Sequence, residues 1–109
     1  MNVKKKGNAF EQACARWLRR WFPNVMTSRL GNPYLDSCGH DLVNTYPFVF
    51  QCKAVERGLD PFKVLAEMTE VNKQWKVLLW KKNRKGTLVV MEMSDANEIF
   101  DLLKRENLI

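Results

Sequence analysis

The stretch from His40 to Lys53, HDLVNTYPFVFQCK, constrains this chain more than any other. It is rich in β-branched and aromatic residues and is divided by Tyr46-Pro47. It therefore reads as two strands, Asp41 to Thr45 and Phe48 to Val55, joined by a turn. Side chains alternate along a strand, so Phe48, Phe50 and Cys52 share one face and Val49, Gln51 and Lys53 the other. Asp41 opens the preceding strand, which is expected to pair with this one. An acid, an amide and an ammonium thus converge at one edge of an otherwise apolar segment. Buried polar groups are costly without partners. These residues are either solvated strand ends or the lining of a small polar cleft.

The flanking segments supply the other elements. Phe10, Ala13, Cys14, Trp17, Leu18 and Trp21 recur at helical spacing from about Gly7-Asn8, and Pro23 ends the pattern. Glu11 lies on the flank of that stripe, where a carboxylate can reach a cleft while the helix stays packed. Arg16, Arg19 and Arg20 occupy the opposite face. Val25 to Arg29 reads as a short strand, and Gly31-Asn32-Pro33 opens a loop running to about Gly39. Asp60-Pro61 is an N-cap followed by proline at the first helical position, starting a helix to about Asn72. Val77 to Lys81 and Thr87 to Met93 read as a hairpin turning at Asn83 to Gly86. A last helix follows Ser94 or Asp95, with Ile99, Phe100, Leu102 and Leu103 directed inward. The order is helix, three strands, helix, two strands, helix: an α/β domain on one mixed central sheet. No linker or repeat divides residues 1–109, so a single domain is expected.

Composition narrows the partners. With 46% hydrophobic residues the chain can build a core without staples, and Trp17, Trp21, Trp75 and Trp80 are expected in that core or at a dimer interface. Eighteen basic residues against twelve acidic ones give a net charge of +6, which favours a polyanion such as nucleic acid. Three scattered cysteines make no disulfide framework and fit a reducing compartment. Cys38-x-His40 with Cys14 and Cys52 matches no structural zinc spacing. His40 is a weak candidate for base or ligand. No segment reaches transmembrane length. A soluble intracellular protein with no membrane role is expected.

Asp, an acceptor two residues before a lysine, and that lysine are the smallest set suited to metal-assisted phosphodiester hydrolysis. Gly7-x-x-x-Glu11 on the first helix, Gly39-His40-Asp41 opening a strand and Gln51-Cys52-Lys53 closing the next resemble the PD-(D/E)xK nucleases. The likeness is to the small archaeal and viral Holliday junction resolvases, with virus-type replication–repair nuclease domains as near relatives, and it covers nearly the whole chain. It implies a restriction-endonuclease-like fold and a homodimeric, Mg2+- or Mn2+-dependent DNA endonuclease acting on branched DNA, cytoplasmic or phage-encoded. By the same likeness Glu11 is the helix acid that binds metal or orients water, Asp41 the principal metal ligand and Lys53 the catalytic lysine. Gln51 stands where the pattern has Glu. It keeps a carbonyl oxygen but loses the charge, and Glu67 on the next helix is a candidate to compensate. Asp36 competes with Asp41 as ligand, and Asp41 is preferred because Asp36 falls in the loop before Gly39.

Arg29 and the surface cations Lys4, Lys5, Lys6, Arg57, Lys81, Lys82 and Arg84 are expected to contact DNA phosphates. Alternative readings are a nuclease of flap, nicked or linear DNA, and a DNA-binding module of this fold without catalysis. Taken singly, Glu11 suits any helix start and Gln51-x-Lys53 any solvated edge strand. Their combination in the right elements distinguishes them.

Overall fold

A computed structural model describes residues 3–69 and 73–109, with residues 3–6 as backbone alone. The apolar stripe beginning at Phe10 forms α1 (Val3–Leu18). This helix starts four residues before Gly7, because the lysines at 4–6 are good helix formers and one glycine costs only about 1 kcal/mol. Next come β1 (Met26–Thr27), α2 (Ser28–Gly31), α3 (Pro33–Ser37) and β2 (Leu42–Val43), then β3 (Phe48–Ala54) and α4 (Pro61–Glu67). The chain finishes with β4 (Trp75–Lys82), β5 (Gly86–Val90) and α5 (Met93–Arg105).

The protein is α/β, but its strands form two groups rather than one sheet. β3 pairs in parallel with β4, and β4 antiparallel with β5, giving a mixed three-stranded sheet. β1 and β2 form a separate antiparallel pair. The expected pairing of Asp41–Thr45 with β3 is present as individual bonds: Asp41 N–H donates to the Phe50 carbonyl (2.8 Å) and Phe48 N–H to that of Thr45 (2.8 Å). The turn between them has a cis peptide at Tyr46-Pro47.

The strand expected over Val25 to Arg29 keeps only Met26–Thr27 and gives way to α2 at Ser28, and the segment expected as a loop from Gly31 to about Gly39 holds α3. Asn32 caps α3 through its side-chain oxygen, which accepts the Leu35 N–H at 3.2 Å, with Pro33 at the first helical position. Gly31 is required where α2 folds back, since a Cβ there would lie 2.7 Å from the Met26 sulfur and 2.9 Å from a Val43 methyl. Asp60 caps α4 as expected, accepting from Phe62 and Lys63 N–H. That helix ends at Glu67 rather than Asn72. Met68 and Thr69 are drawn away from it, Met68 being buried and Thr69 N–H bonding the Cys38 carbonyl at 3.0 Å. Residues 70–72 lie outside the described ones.

The core lies between α1 and one face of the sheet, with Phe10, Cys14, Ala15 and Leu18 against Phe50, Cys52, Val77 and Leu79. The other face carries Lys76, Leu78, Trp80 and Lys82 on β4. There α4 brings Phe62 and Leu65 beside Lys76 and Val90. Trp17 on α1 and Trp21 beyond its end sit edge to face with ring centroids 5.4 Å apart, at 41% and 57% exposure. Of the core and a dimer interface expected for them, they leave the core and line an apolar recess with Phe22, Val89 and Met91. One packing expectation is corrected. On α5, Ile99 and Leu103 are half-buried, whereas Phe100 and Leu102 face outward, the helix meeting the sheet along a narrow seam near Trp75 and Glu98. Among the described residues, no helix is long and apolar enough to cross a membrane.

Candidate functional site

Four elements meet at the outer edge of β3. Asp41 precedes β2, and its carboxylate Oδ2 accepts the backbone N–H of Cys52 at 2.7 Å. This bond, with that from Asp41 N–H to Phe50, fastens the acid to the strand carrying Gln51 and Lys53. Glu11 reaches the same place from α1, where only 8% of its surface remains exposed. Its carboxylate Oε2 pairs with the Arg29 guanidinium of α2. Asp36 arrives from α3. Ser28, fully buried, joins these parts: its N–H donates to the Asp41 carbonyl (2.8 Å) and its hydroxyl to Asp36 Oδ1 (3.1 Å).

As a result, one carboxylate oxygen from each of Glu11, Asp36 and Asp41 lies within 4.8 Å of the other two. Burial pushes the Glu11 carboxyl up to about 7, with the neighbouring Asp41 raising it further and Arg29 opposing. Burial likewise lifts Asp41 to about 6, against the pull of the Cys52 N–H and the Lys53 ammonium. Lys53 is therefore electrostatically coupled to the group. Gln51, on the same strand face as Lys53, has its side-chain oxygen against Gly39, 3.5 Å from where a Cβ would stand. Gly39 holds a left-handed φ of 82°. The donor set is all oxygen and two-thirds or more carboxylate, the chemistry of a hard divalent cation site.

Glu11, Asp41, Gln51 and Lys53 are thus brought to one strand edge. Asp36 joins Asp41 rather than competing with it. Glu67 borders the site through its backbone carbonyl beside Gly39, while its exposed carboxylate is 4.0 Å from the Lys63 ammonium one helical turn away. His40 is structural, buried with its Nε2–H donating to the Thr69 carbonyl at 2.6 Å. Cys14 and Cys52 are buried neighbours, and the Cys14 contact pushes the Cys52 thiol up, so it stays protonated as an apolar filler. Arg29, expected on DNA, is engaged by Glu11. Arg57, Lys81 and Arg84 are exposed and Lys82 half-buried, whereas the side chains of Lys4, Lys5 and Lys6 lie outside the described ones. Sequence reasoning missed Ser28, and it set Asp36 against Asp41 where the structure groups the two carboxylates. The cap-and-proline signal at Asn32-Pro33 was available to find the turn that places them.

Comparison of the chain with protein-family models, with curated proteins and with solved structures gave no match.

Proposed function

We propose that this protein is a metal-dependent DNA endonuclease of the PD-(D/E)xK kind, with a restriction-endonuclease-like fold and branched DNA of the Holliday junction type as its substrate. The reading is carried by one observation: three carboxylates converge at the edge of β3 beside Lys53. Glu11, Asp36 and Asp41 would hold Mg2+ or Mn2+, with the Gln51 carbonyl oxygen adjacent. When bound, the cation supplies charge neutralisation at phosphorus and a more acidic water. Lys53 supplies a positive charge where negative charge develops on the phosphoryl oxygens. Burial of Glu11 and Asp41 strengthens these interactions by excluding water. The exposed cations Arg57, Lys81 and Arg84 add sequence-independent affinity for the phosphate backbone.

Paired cuts across a junction need two such sites, so the reading includes a homodimer. Trp17, Trp21 and Val89, partly exposed along one apolar recess, are surface of the kind two copies can share.

A catalytically silent DNA-binding module is the second reading, favoured by Gln51 in the position of an acid. Asp36 weighs against it by restoring the third carboxylate. The test is cleavage of labelled four-way junction, flap and linear duplex DNA in Mg2+, Mn2+ or EDTA, beside Asp41→Asn and Lys53→Ala. Metal-dependent paired cuts in the junction, lost in both variants, are expected. Tight junction binding without cutting under every metal would replace the nuclease by the binding module.

A further inference from the structure

The sheet face that carries Lys53 is covered by α4 only at one end, where Phe62 and Leu65 lie beside Lys76 and Val90. Its other end is open. In the parallel register Lys53 stands opposite Trp80, and in the antiparallel register Trp80 stands opposite Leu88. Cross-strand partners share a face, so Lys53, Trp80 and Leu88 form a row across three strands. A recess of about 230 Å3 lies along this row, lined by Trp80, Lys82, Lys85, Gly86, Thr87 and Leu88.

Its chemistry is mixed in a specific way. The Trp80 indole is fixed by its Nε1–H, which donates to the Val55 carbonyl at 3.0 Å. The Lys82 ammonium lies 5.4 Å from the ring centroid. Leu88 is a large apolar residue left 60% exposed. Glu56, the acid at this end, accepts the Asn83 N–H at 2.8 Å and so braces the turn of the hairpin. A rigid aromatic, an exposed aliphatic floor and two ammonium groups fit a ligand that is flat and apolar on one side and anionic on the other. A nucleotide in a strand has that form.

We propose that Trp80, Lys82, Lys85 and Leu88 form a nucleotide-binding recess that holds the DNA strand flanking the cleaved phosphate. The inference rests on the nuclease reading for the identity of its ligand. Adjacent strands are about 4.8 Å apart, so the Trp80 and Leu88 backbones lie about 5 and about 10 Å from that of Lys53, and Lys82, two residues further along β4, about 8 Å from it. At about 3.4 Å per nucleotide step, that is within about three nucleotides of the cut. Bases or sugars rest on Trp80 and Leu88, and the phosphates between them meet Lys82 and Lys85.

The test is binding of fluorescein-labelled single strand and four-way junction by anisotropy, in EDTA and over a range of salt, so that cleavage plays no part. Trp80→Leu is expected to weaken binding about 5- to 100-fold, whereas Trp80→Phe, which keeps a stacking ring, stays within about threefold of the wild type. Leu88→Glu alters only an exposed side chain and is expected to weaken binding about tenfold, so it decides the matter should Trp80→Leu not fold. Lys82→Gln is expected to lower the salt slope by about one. Wild-type affinity in Leu88→Glu, or a loss in Trp80→Phe as large as in Trp80→Leu, overturns the recess even where cleavage is intact. Affinity that depends on Trp80 and Leu88 supports it even where the wild type cuts nothing, and then only the nuclease reading fails.

Discussion

Asp41 and Cys52 are joined across the edge of β3, carboxylate oxygen to backbone N–H at 2.7 Å. That bond holds one Asp41 oxygen against the strand and aims the carboxylate at Glu11 and Asp36. Asp41→Asn keeps an oxygen for the Cys52 N–H and removes the charge. It is expected to melt within a few degrees of the wild type while losing Mn2+ affinity by about 100-fold, read by calorimetric titration. Asp41→Ala also orphans the N–H, and is expected to cost about 1 kcal/mol more in urea unfolding.

The two raised carboxyls set a pH dependence of opposite sign to ordinary acid denaturation. Glu11 is raised from 4.5 to about 7 and Asp41 from 3.8 to about 6, with Arg29, Asp36 and Lys53 as their charged neighbours. Between ordinary and raised values the folded protein holds protons the unfolded chain has lost, so stability falls as pH rises. Their contribution is fully present below the ordinary values and is lost as pH climbs through about 6 and 7. Melting temperature is therefore expected to drop across this range and to drop less in Glu11→Gln. Excess Mn2+ is expected to reverse the drop, because a cation binds the ionised site.

In the proposed metal centre Asp36 supplies the third carboxylate and Gln51 an uncharged oxygen. Asp36→Asn is expected to reduce Mn2+ affinity by about tenfold or more, an outcome that a loop residue outside the site would not produce. Gln51→Glu returns a fourth carboxylate and is expected to tighten Mn2+ binding by about tenfold, with part of the Coulomb gain lost to repulsion from Asp41. Unchanged titrations in both variants would remove these side chains from the centre.

Arg29 is the counter-charge of a nearly buried acid. Its own side chain keeps about a third of its exposure, 36%, against 11% for that of Glu11. Arg29→Gln leaves Glu11 buried with less compensation and is expected to cost about 1–2 kcal/mol, less than the about 3–5 kcal/mol of a fully buried broken pair because the Arg29 end is solvated. Urea unfolding of the single variants and of Arg29→Gln with Glu11→Gln measures it. If the pair matters as described, the double variant is less destabilised than the sum of the two.

What could be read from sequence follows from where the signals were local. Alternation in Phe48–Val55 placed Gln51 and Lys53 on one face, and Asp60-Pro61 marked the start of α4, because each depends on a few adjacent residues. The same cap-and-proline pair at Asn32-Pro33 was outweighed by Gly31 and read as a loop, which kept Asp36 away from Asp41. That reading failed because Gly31 serves close packing against Met26 and Val43, a tertiary requirement no local pattern shows. For Trp17 and Trp21 the helical stripe shows which side is apolar, but not how far the fold covers it, and both rings stay partly exposed. The end of α4 was likewise set by a distant partner, Cys38, bonding Thr69.

β3 is the outer strand of its sheet, and an open strand edge invites another chain to add itself. Here that edge is already spoken for. The Phe48 N–H goes to the Thr45 carbonyl, the Phe48 carbonyl accepts the Thr45 hydroxyl, the Phe50 carbonyl accepts the Asp41 N–H, and the Cys52 N–H meets the Asp41 carboxylate. The acid that anchors the proposed metal centre therefore also acts as a guard against edge-to-edge polymerisation, presenting charge where a foreign strand would have to hydrogen-bond. Asp41→Ala is therefore expected to aggregate more readily than the wild type, read by light scattering.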